Sequence, residues 1–175
     1  SPDGTRVLIV ATNGTPARVL DTATGTLVLT LQELQGPVLA AAFDSTGRHL
    51  VTGAADGAVS LWEIPQGRRV LEIRGGGNAP RSMAFSRDGR SIAAGFTDGS
   101  VWTRGLAPEM EPTALERATN QIASIAFSPD GAYVVVASPD GAARVWSTSG
   151  RFRGERQGPG APILTACFSP DGGRM

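Results

Sequence analysis

Lysine is missing from this chain, and cysteine and histidine occur once each. A single cysteine, Cys167, excludes an internal disulfide and a cysteine metal cluster. It stands in the apolar run 163–168, where a buried, inert thiol is expected. The single histidine, His49, leaves no Ser/His/Asp or Cys/His set to assemble, and its place before Leu50-Val51 predicts a strand surface or edge. No enzyme chemistry, catalytic residue, cofactor or metal site is expected on these grounds. Charge of one sign is missing too: 16 basic residues, all arginine, balance 16 acidic ones. That balance gives no electrostatic reason to expect nucleic acid or an anionic membrane as partner. No run approaches the roughly 18 apolar residues that span a bilayer. The opening Ser1-Pro2-Asp3-Gly4 has neither the basic nor the apolar region of a signal peptide, so a cytoplasmic location is expected.

What the chain does have is punctuation. Ser-Pro-Asp-Gly or a close relative occurs at Ser1–Gly4, Asp44–Gly47, Ser86–Gly89, Ser128–Gly131 and Ser169–Gly172, with closing glycines 43, 42, 42 and 41 residues apart. A second phrase lies ten residues beyond each of the first four: Asn13-Gly14, Asp56-Gly57, Asp98-Gly99 and Asp140-Gly141. A period in the low forties marks a repeat architecture. Hydrophobic residues at 41% supply material for a core, while the 23 glycines and 12 prolines suit many short strands joined by tight turns.

One unit shows the local logic. The apolar run 38–43 ends at Phe43 before Asp44-Ser45-Thr46-Gly47, as Phe127 and Phe168 precede their own turns. Proline presets φ at the first corner of a type I turn, and glycine takes the left-handed position that closes it. A strand over 49–54 ends at Asp56-Gly57, which favours a tight hairpin. Strands over 59–64 and 69–74 follow, separated by Pro65-Gln66-Gly67. Each unit thus reads as a four-stranded antiparallel meander, and no run has helical periodicity long enough to compete. The expected units are a partial one over 1–34, complete ones over 35–77, 78–118 and 119–160, and the first strand of another over 161–175.

Both faces of the first strand are apolar: Val38, Ala40 and Ala42 on one, Leu39, Ala41 and Phe43 on the other. Sheets buried on both faces and stacked about an axis make a β-propeller. The phrase Phe-Ser-Pro-Asp-Gly, then Asp-Gly, then Trp five residues later resembles the WD-repeat (WD40-type) family. The stretches 55–62 and 139–146, ending in Trp62 and Trp146, carry that resemblance most closely. It covers the whole chain, about four units. It implies an all-β fold, a β-propeller segment of about four four-stranded antiparallel blades forming an open arc of a larger ring. The family's Gly-His pair is absent; Gly36-Pro37, Ala79-Pro80, Asn120-Gln121 and Ala161-Pro162 stand in its place. The family's buried hydrogen-bond chain of His, Ser/Thr, Asp and Trp therefore cannot form in full. In the third unit Arg104 takes the tryptophan position, leaving Trp102 two residues early. The all-arginine basic set, with abundant Ala, Gly and Pro, points to a GC-rich bacterial coding sequence.

The function implied is a non-catalytic protein-interaction scaffold within a larger WD-repeat protein. The alternative is a propeller contributing to an enzyme or small-ligand site, as in TolB-like and other periplasmic propellers. Asp56, Asp98 and Asp140 read as turn residues that hydrogen-bond their own backbone. Trp62 and Trp146 read as core aromatics. Three residues are candidates for partner contact. Trp102 and Arg104 combine types favoured at binding hot spots. Arg81 stands where Leu39, Ala123 and Leu164 stand in the other first strands. The acidic stretch 106–120, with Glu109, Glu111 and Glu116, fills the place of an outer strand and loop. Gly75-Gly76-Gly77 lies between strands and opens no helix, so an inter-blade loop is expected rather than a phosphate cradle. Counted in strands, the first unit lacks its innermost strand, while 163–168 is an innermost strand without a sheet. A fragment of a longer protein is expected, and so is head-to-tail self-association of the isolated chain through these complementary edges.

Overall fold

A computed structural model describes residues 1–10, 16–32, 34, 36–74, 77–107, 109–115, 121–158 and 160–175. The chain forms two compact units, Ser1–Pro80 and Arg81–Met175. The first unit holds two sheets. One is three-stranded, with β1 (Arg6–Ile9), β2 (Arg18–Asp21) and β3 (Leu27–Thr30) in chain order. The other is four-stranded, with β4 (Val38–Phe43), β5 (His49–Ala54), β6 (Ala58–Glu63) and β7 (Arg68–Arg74). In the second unit, β8 (Pro80–Phe85), β9 (Ser91–Phe96), β10 (Val101–Gly105) and β11 (Thr113–Leu115) make one sheet. The last sheet comprises β12 (Ser124–Phe127), β13 (Tyr133–Ala137), β14 (Ala142–Ser147) and β15 (Phe152–Gln157). Every pairing is antiparallel between sequence neighbours, and no helix occurs among the described residues. These are propeller blades.

The middle strands explain why single sheets would not persist alone. Leu50 through Ala54 and Ala58 through Trp62 are buried on both faces. Strands so placed must be nearly continuous in apolar and small residues, as they are here. In the first unit, Leu50, Trp62 and Ile64 pack with Val19, Leu31 and Val38 in one cluster. In the second, Val134, Val136 and Trp146 pack with Ala93, Val101, Leu115 and Ile122. Each such side chain removed from water contributes about 1.5–3 kcal/mol. The outer strands β7 and β15 hold only exposed and half-buried residues, unlike the buried middle strands.

Residues 163–168 depart from expectation. They are not a strand: Ile163 N–H donates to Ser138 O at 3.3 Å and Ala166 N–H to Ser124 Oγ at 3.1 Å, with no ladder. A strand pairs its alternate backbone groups with a neighbour, and among the described residues no strand pairs with this segment. Leu164 is consequently 72% exposed, and Cys167 is exposed rather than buried. The phrases at Asn13-Gly14 and Gly75-Gly76, together with Glu116, lie outside the described residues.

Candidate functional site

The first recurring phrase builds one turn five times. Gly4, Gly47, Gly89, Gly131 and Gly172 have φ between 67° and 72°. Their N–H groups donate to Ser1, Asp44, Ser86, Ser128 and Ser169 carbonyls at 2.8–3.1 Å. In four copies the serine hydroxyl donates to the aspartate two residues on, at 2.6 Å in Ser86–Asp88 and 2.5 Å in Ser128–Asp130. The same hydroxyl accepts the N–H five residues on, from Arg6, Ser91, Tyr133 and Arg174, each at 2.9 Å. In the copy at residue 44 the acid and hydroxyl change places. Thr46 Oγ1 donates to Asp44 Oδ2 at 2.7 Å, and Asp44 Oδ1 accepts His49 N–H at 3.0 Å. His49 Nδ1 also meets Asp44 Oδ2 at 3.0 Å.

These bonds set the acid–base properties of the aspartates. The Ser1 hydroxyl, with the Thr5 N–H and hydroxyl, holds the Asp3 carboxyl down at about 2. Serine hydroxyls followed by backbone N–H groups likewise lower Asp88, Asp130 and Asp171. Burial pushes the Asp44 carboxyl up, but the His49 N–H, Thr46 hydroxyl and His49 ring together outweigh it and the net shift is downward. None of these carboxylates is poised to exchange a proton near neutral pH.

Asp56, Asp98 and Asp140 accept the N–H two residues on at 3.0–3.1 Å, in tight turns closed by Gly57, Gly99 and Gly141. Gly57 and Gly141, both at φ 85°, also pass close to the next segment. A Cβ on Gly57 would stand 3.0 Å from Asn78 O, and one on Gly141 3.2 Å from Ala161 O. Asp56 and Asp140 also reach arginines: Arg74 Nη1 at 3.3 Å and Arg144 Nη1 at 2.8 Å. Arg144 Nε donates to Glu155 Oε2 at 2.7 Å, an ion-pair bridge that turn spacing does not announce.

Trp62 and Trp146 are both buried. Trp62 Nε1 donates to Thr52 Oγ1 at 2.9 Å. Trp146 Nε1 and Ser60 Oγ find no partner among the described residues. Val136 occupies in β13 the place Thr52 holds in β5, so the indole N–H has lost its acceptor.

The three contact candidates are placed differently. Trp102 and Arg104 are each only 8% exposed. Trp102 packs on Phe96, with ring centroids 6.0 Å apart, across the sheet from small Ala94. Arg104 Nε donates to Met110 O at 2.7 Å. Both side chains are thus committed inside their blade, which leaves Arg81 as the exposed member of the trio. Arg81 borders a small cavity of about 130 Å³ with Thr97, Gln121 and Ile122. Its neighbour Ser82 accepts the Ile125 N–H at 3.1 Å and ties the first strands β8 and β12 together, and Ser124 likewise accepts the N–H of Ala166 in the segment that follows. Among the described residues no His, Cys, Asp and Glu cluster could hold a metal ion.

The family pattern described as "WD domain, G-beta repeat" matches residues 25–63, 67–102 and 113–147, well over half of the chain. No curated protein matches the sequence. Among solved structures, a computationally designed protein, Ika8, is similar over 94% of this chain and 50% of its own, at 26% identity and a TM-score of 0.81. The Cps50 (Swd1) β-propeller domain of Myceliophteria thermophila is similar over 98% of this chain and 58% of its own, at 14% identity and a TM-score of 0.83. The chain spans about half the length of these two structures.

Proposed function

The chain belongs to the WD-repeat family, and on that premise we propose that it is a non-catalytic protein-interaction scaffold. Propellers of this family generally mediate protein–protein interaction. One observation carries the reading here. The second residue of each first-strand segment is presented outward on an otherwise repeated frame, and its chemistry changes: Leu39 and Leu164 are exposed, Arg81 is exposed, and Ala123 is half-buried. The frame itself is fixed by the turn bonds, so this position varies without disturbing the blade. Recognition commonly resides at such variable sites on rigid supports. Affinity capture with the intact protein, quantified for wild type and Arg81→Glu, is the test. Loss of a stoichiometric protein partner with unchanged thermal unfolding is expected. Unchanged capture would remove Arg81 from the contact surface. Turnover of a small molecule with no protein partner would replace the scaffold with the enzyme alternative.

A second proposal concerns self-association. A cavity of about 360 Å³ lies between β1 and β4, lined by Val7, Leu8, Val10, Leu39, Phe43 and Leu50 among others. β1 is an edge strand, and Val7, Ile9 and Val10 on and beside it are 41–48% exposed. An apolar edge of this kind templates strand addition. Residues 163–168 of a second copy are the matching element, since they hold the repeat position of β4 and have no sheet. Light scattering on the 175-residue chain should show dimers or larger species that change when residues 162–175 are deleted. A cooperatively folding monomer would contradict this.

A further inference from the structure

One junction between neighbouring blades is polar where the other repeats are apolar. Within the second unit, Arg81 of β8, Thr97 just after β9, and Gln121 and Ile122 just ahead of β12 border the cavity of about 130 Å³. One repeat earlier, the positions of Arg81, Thr97 and Gln121 hold Leu39, Ala55 and Ala79; one repeat later they hold Ala123, Pro139 and Pro162. Three lining positions have thus become polar together at a single junction. The adjacent turn requires none of them, since Asp98 and Gly99 close it as their counterparts do in the other blades.

The walls of this hollow are held in place before anything binds. Ile122, 2% exposed, lies against Gly95, where a Cβ would stand 2.8 Å from Ile122 Cγ2. The Ser138 hydroxyl donates to Gln121 O at 3.0 Å, and Ser82 holds β8 to β12 through the Ile125 N–H. Arg81 is exposed and makes no hydrogen bond or ion pair among the described residues. No described Asp or Glu borders the cavity. Asp98, beside Thr97, accepts the Ser100 N–H and hydroxyl in its own turn.

An unpaired guanidinium fork next to a hydroxyl matches a carboxylate, which takes two parallel N–H bonds from the arginine and a third bond from the threonine. A phosphoryl group carries nearly two charges and draws clusters of arginines, whereas one arginine stands here. The volume lies below the roughly 300–1,000 Å³ of small-molecule sites, so it suits one carboxylate-bearing group rather than a whole ligand. We propose that this junction is the subsite for a carboxylate of a partner protein, with Arg81 as the forked donor and Thr97 as the third. The proposal rests on the scaffold reading and names the chemistry that Arg81 recognises.

The test is an NMR titration of the isotope-labelled full chain, following the backbone N–H groups of Arg81, Thr97 and Gln121 and the Arg81 Nε–H. The probes are a pentapeptide blocked at both ends with one central glutamate, its glutamine and phosphoserine twins, and penta-alanine with a free C-terminus. Saturable shifts are expected with a carboxylate peptide and not with the glutamine twin. The glutamate peptide against the free C-terminus identifies the source of the carboxylate, and either supports the proposal. Arg81→Leu should abolish the shifts and Thr97→Ala should weaken binding at least about fivefold, both exposed substitutions that restore the residue found one repeat earlier. Equal response to glutamate and glutamine would overturn the proposal, as would tighter binding of the phosphoserine twin. An unaltered affinity in Thr97→Ala would also overturn it, by reducing the effect to diffuse attraction to Arg81. Arg81-dependent capture of a protein without any preference for a carboxylate peptide would refute the subsite and keep the scaffold. Carboxylate binding with no protein captured would keep the subsite and refute the scaffold.

Discussion

Trp62 and Trp146 sit at the same repeat position and differ in the diagonal neighbour on the adjacent strand, Thr52 against Val136. The Thr52 hydroxyl receives the Trp62 indole N–H, whereas Val136 offers the Trp146 N–H nothing. A buried donor left unpaired costs about 1–3 kcal/mol. Val136→Thr should therefore raise the urea midpoint of unfolding by the equivalent of about 1 kcal/mol, and Thr52→Val should lower it by about as much. A destabilising Val136→Thr would show that the hydroxyl does not reach the indole. The turn aspartates give a second residue-scale prediction. Their folded pKa values lie below the unfolded value of about 4, so their contribution is present above that pH and is lost as pH falls toward the folded values, about 2 for Asp3. Thermal unfolding should weaken between about pH 4 and pH 2, and Asp88→Asn with Asp130→Asn should flatten that dependence. An unaltered slope would mean that these hydrogen bonds do not persist in solution.

At the scale of the element, each hairpin owes its shape to one residue that must be glycine for one of two reasons. Gly4 needs only its positive φ, because nothing lies within 4 Å of a Cβ there. Gly57 needs both its φ of 85° and the space beside Asn78 O, 3.0 Å from a Cβ. Gly57→Ala should thus cost clearly more than Gly4→Ala, roughly 2–4 against about 1 kcal/mol, read from chemical denaturation. Equal costs would contradict the close approach. These hairpins were legible in the sequence because Asp-Gly and Ser-Pro-Asp-Gly are local instructions, each satisfied by bonds within five residues. The burial of Trp102 and Arg104 was not legible. Its causes are small Ala94 across the sheet and the carbonyl of Met110 in a following loop, and neither belongs to the repeat. Residues 163–168 were misread for a related reason: apolar alternation states what a strand would bury, but pairing depends on a neighbour the segment itself does not encode.

For the whole molecule, the same division separates frame from surface. Serine–aspartate turns, Asp-Gly turns and doubly buried middle strands recur from blade to blade, and the family and the all-β propeller fold were readable from that recurrence alone. The central claim is that the frame is constrained for folding while the outward first-strand position is free for recognition. A saturation substitution scan read by folded yield measures this directly. Replacements at Gly57, Gly99, Gly141, Ser86 and Ser128 should reduce folded yield sharply, while those at Leu39, Arg81 and Leu164, charge reversals included, should leave it close to wild type. Collapse on substituting Arg81 and Leu39, with tolerance at the Asp-Gly glycines, would contradict the account.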